Sequence, residues 1–544
     1  MKNALPGLLS VFLTAACASH PAAPESKAAA TTPVVAGTVS TQPAPEPVPP
    51  PARPLLTPQP LDTVLLSSPT SPLVTFRFVF RAGSVDDPPG KEGLTALTAN
   101  LLGQGGTREL TSAQLLEALF PMAAELGQQP DKELTTFTGR VHRDHLNRFL
   151  TIFLDVLTQP RLDAKEFERL RADAVNNIKN ALRGENDEEL GKVGLDALLF
   201  HGHPYGHYVG GTVAGLNAIT LEDVKAQWKR VFTQDRLMLG LAGPVDDGLV
   251  QQVKQRLAVL PAHGAPAVLL PVTPDVAGHV LILQKAARST AISIGAAYGV
   301  RRGDPDFVPL TLALSYLGQH REFTGVLYNQ LREARGLNYG DYAYAEHFEQ
   351  SGGGTFPEPN IARSVQDFSV WIRPVEEANA LFATRGALYY FDGLLKDGIP
   401  ADRFDDSRGF LGGYSRQLDQ TDARRLGYAL DAKLYGTPDF LNAFRTRLAT
   451  LTAEEVHAAV LRHLRPERLN FVYVTHNAAK LRGLLETQPA SPITYPSAKP
   501  QEITQVDKSI EVFKLPLQAG QTEIKEAQGF MESESSQGAL HQGE

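Results

Sequence analysis

Cysteine is almost missing from this chain of 544 residues. Cys17 is the only one, so no intramolecular disulfide can form. Positive charge is not in excess either. The 52 Lys and Arg against 60 Asp and Glu leave a net charge of −8, which argues against nucleic acid as a partner. The apolar run from Leu5 to Ala16 has 12 residues, too few for a helix that crosses a bilayer, which needs about 20. The Gly-rich stretch Ser351-Gly352-Gly353-Gly354-Thr355 lacks the Gly-Lys-Ser/Thr ending of a phosphate loop.

What is present begins with that short apolar run. Lys2 precedes it, and Leu13-Thr14-Ala15-Ala16 leads into Cys17. These are the proportions of a secretory signal, and the small residues before the single Cys resemble a bacterial lipobox. Residues 1–17 therefore read as a lipoprotein signal peptide with Cys17 as the lipidation site. The expected location is the bacterial cell envelope, lipid-anchored and facing the periplasm. Acyl chains on Cys17 would hold the protein on a membrane. Residues 18–60 carry 12 of the 39 prolines and much Ala and Thr. Such a stretch buries too little apolar surface to order itself and reads as a Pro/Ala-rich disordered linker.

Hydrophobic residues at 42% and charged residues at 21% are ordinary for a globular chain, and the length implies two to four domains. From residue 61 the pattern is strand, helices, strand, helix. Val74–Phe80 alternates as a strand. Helical stretches are expected at 93–103, 112–126, 142–158, 163–183, 187–200 and 221–232, a strand at 236–243, and a helix from Asp246 to about Leu260. The pattern then starts again. Ala291–Tyr298 parallels Val74–Arg81, Asp306–Leu317 parallels the 93–103 helix, and Leu469–Val474 matches the strand at 236–241. Two copies of one unit, offset by roughly 215 to 235 residues, make a tandem chain. Ile510–Leu515 reads as a further strand, with disorder from about Met531.

The most informative stretch is Gly93–Leu102. A strand end and turn, Phe80–Pro88, precede it, and Gly103-Gln104-Gly105-Gly106 closes its helix. These surroundings resemble the insulinase/pitrilysin family of zinc metallopeptidases. In that family the helix carries H-x-x-E-H, two His ligands and a Glu base. Here the aligned residues are Ala96-Leu97-Thr98-Ala99-Asn100. The family's third ligand, a Glu on a later helix, aligns with Asn177, 77 residues beyond Asn100. Alanine offers a metal no lone pair, and Asn is a poor zinc ligand. Ala96, Ala99, Asn100 and Asn177 are thus lost positions, and no metal is expected there.

Leu331–Tyr339 resembles a second family segment, in which an Arg and a Tyr seven positions apart flank a Gly-Leu. Here they are Arg332 and Tyr339. The resemblance implies that the pair binds the substrate backbone and steadies charge on the attacked carbonyl, a role suited to a guanidinium and a phenol. His201, His203 and His207 surround a Pro-Tyr-Gly turn and read as structural.

The fold class implied is α+β: two homologous domains of the insulinase/mitochondrial-processing-peptidase-like metallohydrolase type, forming a clamp, with sheets toward a central cleft and helices outside. The N-terminal peptidase-like domain is expected at 61–265, the C-terminal one at 275–486, and a partly disordered tail at 487–544. Two-domain members of the family often work as pairs, one chain bearing zinc and the other the Arg/Tyr pair. The resemblance makes this chain the second kind: inactive alone, with no cofactor of its own, zinc in the partner subunit, and a peptide substrate. The alternative is an inert peptide-binding or structural scaffold of the same fold.

Overall fold

The computed structural model describes residues 53–57, 59–319, 323–349 and 356–533. The expected signal peptide, lipidation at Cys17, most of the linker and the Gly-rich stretch at 351–355 lie outside the described residues. Among the described residues no helix is long and apolar enough to cross a membrane.

Two sheets carry the fold. The first contains β1 (Asp62–Ser67), β2 (Leu73–Phe80), β3 (Glu125–Pro130), β4 (Thr135–His142) and β5 (Leu237–Gly243). Their spatial order is β1-β5-β2-β4-β3. The second contains β6 (Val280–Gln284), β7 (Thr290–Tyr298), β8 (Asp341–Tyr344), β9 (Gln366–Val375), β10 (Asn470–Thr475) and β11 (Thr522–Glu526), ordered β11-β6-β10-β7-β9-β8. In each, the first strand pairs in parallel with the last strand of its repeat, β1 with β5 and β6 with β10, and the rest of the repeat is antiparallel. The two sheets share one topology, so the repeat read in the sequence is a repeat of structure. β11 is an addition, laid parallel to β6 at the edge.

Helices cover both faces of the inner strands of each sheet. On β2, Val74, Phe76, Phe78 and Phe80 enter the core under the first half's own helices, with Leu237, Leu239 and Leu241 of β5. Val79, Met238 and Ala242 point the other way and meet Leu426, Leu430 and Leu434 of the Asp422–Tyr435 helix, which belongs to the second half. The exchange is reciprocal. The Asp187–Leu199 helix of the first half lies on the second sheet, its Leu195, Leu198 and Leu199 packed with Leu281, Leu283, Val472 and Val474. The expected arrangement, sheets toward a central cleft and helices outside, holds at the outer strands, where Gln128 and Gln129 of β3 and Asp367, Ser369 and Trp371 of β9 line a cavity between the halves. Over the inner strands it is corrected, because a helix of the opposite half covers the face that was expected to be open. Small residues permit the approach. A Cβ on Gly194 would lie 2.9 Å from Val472 Cγ1, and one on Gly240 2.8 Å from Leu430 Cδ1.

Three local expectations are corrected. The helix expected over 112–126 ends at Leu119, because Pro121 follows in a short 3-10 turn and Ala123 turns left-handed at φ 45°, which frees β3 to begin at Glu125. Residues 510–515 are not a strand: Ile510 ends a helix that starts at Gln501, and the strand of the tail is β11. Met531 is buried, and its carbonyl accepts the Val213 N–H at 3.0 Å.

Candidate functional site

The Leu94–Gln104 helix forms one wall of the site. Gly93 precedes it at φ 100°, a left-handed conformation in which a Cβ would also meet Gly210 O at 2.9 Å. Glycine has no side chain to cap the helix, so Asp87 does it from the preceding loop. Its carboxylate accepts the Gly93 and Thr95 N–H groups, both at 2.7 Å. Ala96 and Asn100, one turn apart, face a cavity of about 830 Å³ between the halves, and Asn177 reaches the same cavity. Asn177 opens a π-helical stretch, Asn177–Glu185, that continues the Ala164–Asn176 helix, a distortion common at functional sites. Asn100 Oδ1 accepts from Gln128 Nε2 of β3 at 3.0 Å. Ala99 does not line the cavity; it is fully buried in the core under the first sheet. The wall at Ala96, Asn100 and Asn177 therefore offers no imidazole, thiolate or carboxylate, and these residues do not fit a zinc ion.

Arg332 and Tyr339 stand together. The Arg332 guanidinium lies 5.9 Å from the Tyr339 ring centroid and 4.6 Å from that of Tyr328, and it donates to the Tyr328 hydroxyl. Arg332 sits in a second π-helical stretch, Tyr328–Glu333, and Tyr339 precedes β8 with 78% of its surface exposed. Neither lines the cavity. The structure thus brings Ala96, Asn100 and Asn177 to one place and Arg332 and Tyr339 to another.

The charged part of the cavity lining was not legible in the sequence. Arg363 enters from the second half and is 1% exposed. Its Nη2 donates to Asp131 Oδ1 at 3.1 Å, and its Nη1 lies 3.8 Å from Asp196 Oδ2. Burial works against its charge, but the carboxylates of Asp131, Asp196 and Asp367 prevail and raise its pKa. Lys132 Nζ donates to the carbonyls of Tyr205 and His207 at 2.7 and 2.6 Å. Burial pushes its pKa down to about 8. Burial, with the Asp131 charge nearby, pushes Glu349 up to about 7, and burial with Asp196 does the same for Asp367. Glu349 is exposed where it lines the cavity, yet protein surrounds it closely enough to disfavour its charge. His347 is held well below its usual range by burial and by Arg363, Lys132 and Lys192. Of the histidines in the Pro-Tyr-Gly turn, His203 Nδ1 accepts the Tyr205 N–H at 3.1 Å, and His207 Nε2 lies 3.5 Å from Asp87 Oδ2.

A sequence model described as insulinase (peptidase family M16) matches residues 62–198, and one described as the peptidase M16 inactive domain matches 218–408. The chain belongs to the insulinase family. Within that family it is 20% identical over 395 residues to the uncharacterized zinc protease YmxG of Bacillus subtilis, covering 72% of this chain and 91% of the relative. It is 21% identical over 413 residues to the non-peptidase homolog YmxG of Helicobacter pylori, covering 74% and 89%. Its fold matches the crystal structure of a peptidase M16 inactive domain from Pseudomonas fluorescens, with TM-score 0.68, 21% identity, and coverage of 78% of this chain and 97% of that one. A protease from Helicobacter pylori matches with TM-score 0.65 at 14% identity, covering 78% and 99%.

Proposed function

We propose that this insulinase-family chain is the non-catalytic subunit of a heterodimeric zinc metallopeptidase, carried on a bacterial envelope membrane by lipid at Cys17 and facing the periplasm. The observation that carries the reading is the wall at Ala96, Asn100 and Asn177. The helix, the cavity and the later helical turn are all built, but the side chains that would hold zinc are not there. A partner of the same family would supply the zinc. The naming of the Helicobacter pylori relative as a non-peptidase homolog supports an inactive chain.

This chain's contribution would be to close the chamber, bind peptide and lend Arg332 and Tyr339. The pair lies outside the chain's own cavity and Tyr339 is exposed, which leaves it accessible to a second chain. β3 is the last strand of its sheet and lines the cavity through Gln128, Gln129 and Pro130. Its free edge can take an extended peptide as an added strand. One contact favours the scaffold alternative: Arg332 donates to the Tyr328 hydroxyl, so it has a structural partner without any substrate.

Co-purification from native membranes, followed by identification of the bound chain, tests the pairing. Cys17→Ser should release the chain from washed membranes, and retention would refute the lipid anchor. In the pair reconstituted with a zinc-bearing subunit, Arg332→Ala and Tyr339→Phe should each lower kcat by about 100- to 1000-fold with the complex intact. Unchanged kinetics for both variants would favour the scaffold.

A further inference from the structure

The geometry points to a divalent-cation site between the two halves, built on His347, Asp196 and Asp367 and separate from the wall at Ala96, Asn100 and Asn177. One ligand atom from each of the three lies within 4.8 Å of the other two, a spacing that metal bonds of about 2.0–2.2 Å can close with small side-chain rotations. Asp131 and Glu349 form a second such triad around the same His347. The three principal residues come from three separate segments: Asp196 from the Asp187–Leu199 helix, Asp367 from β9, and His347 from the loop just after β8.

A cluster of acids alone would carry no such inference, because buried carboxylates are commonly satisfied by protein donors. Here two of their oxygens are not. Among the described residues, Asp367, 4% exposed, has no hydrogen-bond partner at Oδ1, and Asp131, 1% exposed, has none at Oδ2. An unpaired buried carboxylate oxygen is costly, and one stands in each triad. The nearby cations bond elsewhere. Arg363 Nη2 donates to the other oxygen of Asp131, Oδ1, and Lys132 Nζ and Arg363 Nη1 stop 3.8 Å from Asp196 Oδ2. Among the described residues six carboxylates line the cavity against four Lys and Arg side chains, a formal excess of acid that a divalent ion would offset.

The ligand types choose the ion. Carboxylates suit Mn²⁺ and imidazole suits Zn²⁺, and Zn²⁺ binds more tightly than Mn²⁺ at a given site of this kind. Three protein ligands leave coordination positions open toward the cavity, for water or for a carbonyl oxygen of a bound peptide. Since Asp196 belongs to the first half and His347 and Asp367 to the second, the ion would also tie the halves together. The inference does not depend on the pairing proposed above, and its test needs no partner chain.

The full chain, stripped with EDTA, is titrated with Mn²⁺ and followed by electron paramagnetic resonance. One saturable Mn²⁺ site is expected, emptied by added Zn²⁺, and Mn²⁺ should raise the thermal midpoint. Asp367→Asn, which keeps the side chain's shape, and His347→Gln should each raise the Mn²⁺ Kd by at least about 100-fold, the upper end of what loss of a mere supporting residue costs. The melting of each variant in EDTA verifies that it folds. Asn100→Ala, at a cavity-lining residue outside both triads, and His142→Ala on the surface should leave the Kd unchanged. Absence of saturable Mn²⁺ binding, binding that survives both ligand substitutions, or binding lost with Asn100→Ala would each overturn the proposal.

Discussion

Arg363→Met tests whether the two halves are held by charge as well as by their exchanged helices. The substitution keeps most of the stem and removes the guanidinium. What it leaves is Asp131, 1% exposed, whose Oδ1 has lost its donor and whose Oδ2 never had one. Removing one partner of a buried ion pair strands the other charge, at a cost of about 3–5 kcal/mol. Asp131→Leu should cost less, because the carboxylates of Asp196 and Asp367 still support the guanidinium. The double variant Arg363→Met/Asp131→Leu strands neither group of the pair, so its loss should fall short of the sum by about 1–3 kcal/mol. The chain provides its own reporters, since its two tryptophans divide between the halves. Trp228 donates to the Leu157 carbonyl at 3.1 Å in the first half, and Trp371 lies on β9 in the second. Urea titrations of Trp228→Phe and Trp371→Phe backgrounds read each half separately. Because Arg363 and Asp131 come from different halves, both reporters should shift together. A loss below about 1 kcal/mol, or additivity within about 0.5 kcal/mol, would refute the argument that this pair is a buried inter-half bridge.

Burial pushes the Asp341 carboxyl up to about 8, while the Asn338 amide and Arg373 pull it down. A carboxyl whose pKa is higher in the folded chain than in the unfolded one takes up a proton on folding, so its stabilisation is complete below pH 4 and is lost as pH rises toward 8. Asp341→Asn should flatten the urea midpoint between pH 5 and pH 8.5 relative to the parent chain, by at most about 1.4 kcal/mol per pH unit; parallel profiles would refute the assignment. Gly194→Leu should push the Asp187–Leu199 helix off Val472 and Leu283, where even a Cβ lies at 2.9 and 3.3 Å. A loss of about 1–3 kcal/mol is expected from overpacking, read by thermal melting, and an unchanged midpoint would show that the interlock is not tight.

Legibility followed locality. β2 could be read because Val74–Phe78 alternates, β5 because Leu237–Gly243 is a short uncharged apolar run, and the Leu94–Gln104 helix because glycines bracket it and its lost motif lies in a single stretch. β3, Glu-Leu-Gly-Gln-Gln-Pro, has almost no apolar residue to alternate. It is a strand because β4 pairs with it along its whole length, from Glu125 opposite Arg140 to Pro130 opposite Thr135, which is tertiary information. β11 is similar: Thr522–Glu526 is polar and exists by pairing with β6. The helix exchange leaves a weak mark, since Gly191 and Gly194 look like flaws in a helix until the sheet beneath them is seen.

The charged cluster leaves no mark at all, and the reason is physical. Asp131, Asp196, His347 and Asp367 lie on four separate segments, and no spacing rule links them; they meet only because each half covers the other's sheet. The zinc motif of the family is the reverse case, two ligands and a base on one helical turn, and so its loss is visible in five residues. The sequence that lacks the local set has, among the described residues, six carboxylates around the cavity. A scaffold with no ligand for that cavity would gain by replacing Asp367, whose buried Oδ1 has no partner, with an uncharged residue. Its presence is what a cation, or a peptide amine, would require, and the Mn²⁺ titration distinguishes a cavity that binds metal from one that merely tolerates unpaired charge.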